Sequence, residues 1–192
     1  MSDFYVSPRF RASELAGATV ERKIEAFEDQ TRGWLLEHAR LIASNAGPSG
    51  QHAGFAILAL CLVYVESIAC FLRGETSDNK SREFFDAGLT AVFPDLNPDD
   101  LAAFSREFYR QVRCGLLHQG LTRGKVAITK GATAALALSL DGSKALQHAV
   151  IDPWLFLAHV EAHLAGYVGR LRNLAEKDLR AAFEKWFDAR AV

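Results

Sequence analysis

Residues Ala53 to Leu72 form a run of twenty that carries one formally charged side chain, Glu66. That is about the length a bilayer demands of a spanning helix. A central helix in a water-soluble bundle looks the same when its neighbours cover it on every side. The flanking sequence separates the two readings, because no Lys/Arg cluster sits close before the run and the segments on both sides are amphipathic. The expectation is a buried helix over roughly 51–73 at the centre of an all-α molecule, with no membrane partner. A lone carboxylate in such a helix needs a cation, and Arg113 and Arg82 are the candidates for Glu66.

The remaining chain supplies the neighbours. Val20, Ile24, Phe27, Trp34 and Leu41 recur at steps of three, four or seven, which predicts one long helix whose apolar stripe also takes in His38 as a core residue. Gly47-Pro48-Ser49-Gly50 turns the chain into the apolar helix, and Gly74 ends that helix before the polar loop 75–80. A short helix from Ser81 stops before Pro94. Asn97-Pro98-Asp99-Asp100 then opens the next one with a cap, a first-turn proline and two acids, and Leu101, Phe104, Phe108, Val112 and Gly115 share its inner face. Between Lys125 and Val150 the period changes to two, Leu136, Leu138 and Leu140 alternating with small or polar residues ahead of Asp141-Gly142. This predicts a small β-hairpin. Asp152-Pro153 starts a last long helix, with Leu157, Val160, Leu164, Val168, Leu171 and Leu174 on one face and mixed charge through Arg190. The fold class expected is therefore all-α, an up-and-down bundle of about four long helices with a hairpin insertion before the last.

At 192 residues and 49% hydrophobic content the chain can bury one sizeable core, so a single domain with its core over about 18–188 is expected. Basic and acidic residues balance at 22 against 23, which leaves no global polyanion-binding surface; any nucleic-acid contact must be local. Cys61, Cys70 and Cys114 show no paired spacing, and Met1-Ser2-Asp3-Phe4-Tyr5 has no basic region followed by an apolar run. A reducing cytosol is the compartment these features suit.

Tyr109-Arg110-Gln111-Val112-Arg113-Cys114-Gly115-Leu116-Leu117-His118-Gln119-Gly120 resembles the signature of HEPN domains, helical bundles in which an Arg, four to six residues and a His close a long helix. The order of elements, two long helices, the motif late in a later one and a final long helix, is similar too. The resemblance implies a metal-independent ribonuclease that pairs as a homodimer, two motifs forming one composite site, with Arg113 and His118 as catalytic residues and no cofactor. Cys114 stands where many active members carry a polar residue, and some members of the family are non-catalytic. The alternative it implies is accordingly a non-catalytic module that dimerises and binds a protein or nucleotide.

The residues support both readings. Cleaving RNA needs a group that moves protons near neutral pH and a fixed cation on the phosphate, and histidine and arginine suit those roles. Five residues at about 100° each place Arg113 and His118 roughly 140° apart on a straight helix, so a second copy of the motif would help to complete a site. Equally, Arg113 could neutralise Glu66 while His118 caps the last carbonyls of its helix. Between Arg106 and Lys130 six basic residues, Arg106, Arg110, Arg113, Arg123, Lys125 and Lys130, face Glu107 alone, a patch that could steer RNA or be a solvated face. Arg110, Tyr109, Gln119 and Arg123 are the candidate substrate contacts, Tyr109 by stacking on a base or by simply flanking the core, while Glu66 and Cys114 are supporting residues. His159 and His163 lie one turn apart on the side away from the leucine stripe. With no third ligand evident beyond His148 or Asp152, a surface or dimer-contact role is expected of them rather than a metal site.

Overall fold

The computed structural model describes residues 3–47, 53–109 and 125–191. It is mostly helical, with a small three-stranded sheet. In chain order the helices are α1 (Ala12–Leu15), α2 (Val20–Thr31), α3 (Glu37–Asn45), α4 (Ala53–Arg73), α5 (Ser81–Val92), α6 (Pro98–Phe108), α7 (Pro153–Arg172) and α8 (Lys177–Ala191). The strands are β1 (Val126–Ile128), β2 (Leu136–Leu140) and β3 (Leu146–Ile151).

Helix α4 sits at the centre. Ile57, Leu58, Cys61, Leu62, Val65, Ile68 and Ala69 are buried against α3, α5, α7 and α8. It is the one helix among the described residues long and apolar enough to cross a membrane, and more than half of its apolar window is buried inside the molecule. The expected all-round cover is incomplete, because Ala56 and Val63 are exposed along one stripe. Its end matches the sequence reading, with Gly74 at φ +64°. On the α2/α8 side the core is aromatic: Phe27 lies 4.5 Å from Phe71 and 5.6 Å from Phe183, centroid to centroid. Buried Lys23 of α2 reaches Glu184 at 2.8 Å and Asp188 at 2.9 Å on α8, joining the first long helix to the last.

The first long helix runs from Val20 to Asn45, but not in one register. Arg32–Leu36 is a π-helical segment, with the Glu37 amide bonded to the Arg32 carbonyl five residues back. The extra residue rotates everything after it. Leu36 and Ala39 become the buried positions, whereas Trp34 and Leu41, expected inside, are 42% and 59% exposed, and His38 is exposed as well. The stripe read across this point is thus corrected in its second half.

The last helix is also divided. Asn173 adopts an extended backbone, and its side-chain oxygen accepts from the Ala175 amide at 3.0 Å, an Asx turn that breaks the helix before Lys177. Leu174, expected on the inner stripe, is 71% exposed in that turn.

The insertion is more than a hairpin. β2 and β3 pair antiparallel, Leu138 opposite Ala149, and β1 adds to the other side of β3 in parallel, giving the order β1-β3-β2. The connection at Asp141-Gly142 is a longer loop than a two-residue turn. The Asp141 amide bonds the Ala145 carbonyl, and the left-handed position is Lys144 at φ +60°. Asp141 Oδ1 accepts from the Ser143 and Ala145 amides, which holds that loop without glycine in the left-handed place. Asp152 behaves as a cap and more. It is buried, with Oδ1 accepting from the Trp154 and Leu155 amides and Oδ2 from those of Gly131 and Ala132.

Candidate functional site

Helix α6 leads into the Arg-x4-His segment. Asn97 caps it by accepting from Asp99 and Asp100, Ser105 donates to Asp86 on α5, and fully buried Phe104 and Phe108 stack 4.5 Å apart. Arg110, Arg113, Cys114, His118, Gln119 and Arg123 lie outside the described residues. Tyr109, the last described residue of this stretch, is half-buried with its ring edge-on to Phe85 at 5.5 Å, which is the core-flanking position. Of the cations considered for Glu66, Arg82 lies 4.0 Å from Asp86 on its own helix.

Glu66 itself lines a cavity of about 640 Å³. Its walls come from the N-terminal segment, α2, the π-helical segment, α4, α8 and the loop after α4. Each wall has a local cause. The segment 4–11 lies across the bundle because Asp29 of α2 clamps it, accepting from Ser7 Oγ at 2.7 Å, the Arg9 amide at 3.0 Å and Arg9 Nε at 2.6 Å. Burial alone would raise the Asp29 carboxyl, yet these hydrogen bonds outweigh it and hold the group below the usual carboxylate range. Val6 and Phe10 are buried and anchor the segment, and Pro8 lies over Gly33, where a Cβ would stand 2.4 Å from Pro8 Cγ. A residue without a side chain is what lets the segment rest on the π-helical turn. That turn in its place presents Trp34 to the cavity opposite Val63 and Glu66 of α4 and Trp186 of α8.

Covalent chemistry on a cysteine does not suit this lining. Cys70 is buried and burial pushes its thiol up, while the fully buried Cys61 thiol on the same helix is pushed up to about 12. Neither is the exposed, acidified thiolate that nucleophilic catalysis uses.

No protein family, curated protein or solved structure matches this chain.

The two histidines of α7 have separate surroundings. His159 is exposed with its ring 4.9 Å from that of Phe93. His163, expected on the outer strip, turns inward: its Nδ1 lies 2.7 Å from the Tyr64 hydroxyl, and its ring stacks on Tyr167 at 6.3 Å. Burial and then the Arg170 charge lower the imidazole's pKa, and burial raises the Tyr64 phenol's. With both groups neutral, the imidazole's tautomer sets which of the two donates. Tyr167, whose hydroxyl is buried without a partner among the described residues, completes the cluster. Because the folded-state pKa of His163 lies below its ordinary 6.5, the unfolded chain takes up the proton first as pH falls. Its neutral form is fully compatible with folding above pH 6.5, and stability is lost progressively below it. Thermal melts at about pH 7.5 and about pH 5.5 should show a larger acid-induced drop for wild type than for His163→Gln, by a few degrees. Equal drops would mean that His163 does not titrate in this window.

Proposed function

We propose that the protein is a metal-independent RNA endonuclease of HEPN type that works as a pair of copies, His118 moving protons and Arg113 bound to the phosphate. The observation that carries this reading is the Arg113-x4-His118 spacing directly after a capped helix whose Phe104 and Phe108 are fixed in the bundle. A mostly helical architecture with a late motif-bearing segment and the local excess of six basic residues over one acid support it further.

The chemistry needs no metal. A base removes the proton of a ribose 2′-hydroxyl, the 2′-oxygen attacks phosphorus, and the 5′-oxygen leaves with a proton returned by an acid. Arginine stabilises the charge that builds on the phosphorane oxygens. The products are a 2′,3′-cyclic phosphate and a free 5′-hydroxyl, and water is not consumed in the step.

The test uses purified wild-type protein and a mixed RNA pool. Cleavage should persist in EDTA and leave cyclic phosphate ends, and the protein should sediment at twice its 21.1 kDa chain mass. An RNA pool left intact both in EDTA and in magnesium would make the non-catalytic binding module the better account. That second reading is favoured by Cys114 following the arginine and by a preformed aromatic cavity remote in sequence from the motif.

A further inference from the structure

The cavity beneath the N-terminal segment is built from features that the ribonuclease reading does not use. Seven large hydrophobic side chains are exposed among the described residues, and four of them, Phe4, Tyr5, Trp34 and Val63, line this one cavity. Singly exposed apolar residues need no explanation, but a contiguous group around a concavity marks a binding surface. A volume of about 640 Å³ falls within the range that holds small organic ligands. The concavity is also maintained by dedicated structure. A π-helical turn, which costs regular hydrogen bonding, swings Trp34 out of the core register; Gly33 admits Pro8 above it; and Asp29 ties the covering segment down.

We infer that this cavity binds a neutral, planar aromatic small molecule, held by stacking against the exposed Trp34 ring, with Tyr5 and Trp186, each already carrying a guanidinium over its ring, as the walls beside it. Three features of the lining select that class. Seven of the eighteen lining residues are aromatic, and rings recognise rings through offset and edge contacts. The formally charged residues of the lining are Glu66 and Arg190, one of each sign, so the wall as a whole favours neither an anion nor a cation. Arg190 already lies over the Trp186 ring at 5.1 Å. Finally, Gln30 and Thr31, and Ser67 as an acceptor since its hydroxyl already donates to the Tyr64 carbonyl, supply hydrogen-bonding groups for a polar handle on the ring, while the burial-raised Cys70 thiol offers no covalent capture, so association is reversible.

The probe is N-phenyl-1-naphthylamine, an uncharged aromatic whose fluorescence rises on leaving water. Titrated into full-length wild-type protein, it should show a saturable rise at one probe per chain with a dissociation constant in the micromolar range. Val63→Trp fills the cavity from a half-exposed helix position and should weaken binding about tenfold or more, as should Trp34→Ala by removing a wall. Leu174→Ala, in the exposed turn between α7 and α8, should leave it unchanged. Circular dichroism melts identify any variant that fails to fold, and Trp34→Ala keeps the test open should Val63→Trp be one. A linear, unsaturable rise, or equal affinity in both cavity variants, would overturn the assignment. So would a change of sedimenting mass in Val63→Trp, since a second copy of the chain would then be the occupant. RNA cleavage is scored on the same samples. Loss of probe binding with cleavage intact, or the reverse, separates the fate of this inference from that of the nuclease reading.

Discussion

Replacing His118 with alanine should lower the rate of metal-free RNA cleavage roughly a hundred- to ten-thousandfold, the range lost with a general acid or base. The loss should fall on kcat, because the imidazole acts on protons in flight and contributes little to holding ground-state RNA. Arg113→Lys should also be poor. A lysine supplies the charge but not the planar pair of N–H groups that spans two phosphate oxygens. The control is His159→Ala. That side chain is exposed beside Phe93, so its removal should leave both cleavage and fold close to wild type. If His159→Ala abolished cleavage while His118→Ala did not, the reactive centre would belong to α7 and the motif would be structural. His163 is no substitute as a control, because its bond to Tyr64 makes its removal a change to the core.

The largest effect on stability should come from a single methyl group at Gly88. A Cβ there would lie 1.7 Å from the Val65 carbonyl oxygen and 2.8 Å from its carbonyl carbon, so α5 crosses α4 backbone to backbone. Nothing can rotate aside, since both obstructing atoms belong to the main chain of the central helix. Gly88→Ala must therefore push the two helices apart and loosen Phe84, Phe85 and Leu89, which are fully buried at that crossing. Overpacking of this kind costs about 3 kcal/mol or more, equivalent to a fall in melting temperature of roughly 6–12 °C for a chain of this size. Gly166 gives the opposite expectation. It lies exposed inside α7 with open space where a Cβ would go, so Gly166→Ala should gain up to about 1 kcal/mol from helix propensity alone. Urea denaturation of the two variants checks the contrast, and a Gly88→Ala protein as stable as wild type would show that the crossing is looser than described.

Features written in a few adjacent residues were legible in the sequence. Asn97-Pro98 and Asp152-Pro153 open helices as read, Gly74 closes the apolar helix, and Leu136, Leu138 and Leu140 alternate along β2. These are local hydrogen-bonding and steric rules, satisfied within one turn of chain. What escaped depends on residues far apart or on one local signal overriding another. The π-helical insertion leaves no mark on a stripe sampled at Trp34 and Leu41, because their separation of seven preserves the period after the phase has changed. Residues 126–128 are too few for an alternating pattern, and β1 exists only because β3 offers an edge in parallel. Leu174 continues the spacing of its stripe, yet Asn173 competes for the backbone and wins. At the site the contrast is sharper. The Arg113–His118 pair was found by spacing but lies outside the described residues, whereas the cavity was invisible to spacing because it joins Tyr5, Trp34, Val63 and Trp186 from four separate parts of the chain.

The double use of Asp152 ties the lifetime of an exposed bend to that of a buried helix. One carboxylate oxygen holds the first turn of α7 and the other holds Gly131 and Ala132, twenty-one and twenty residues earlier. Swinging that bend away would strip one oxygen of both its donors inside the protein, where a buried polar atom has little water to turn to. Fluctuations that would be local in an ordinary surface turn thus become openings of a larger cooperative unit, comprising the bend, strand β3 running into Asp152, and the helix that starts there.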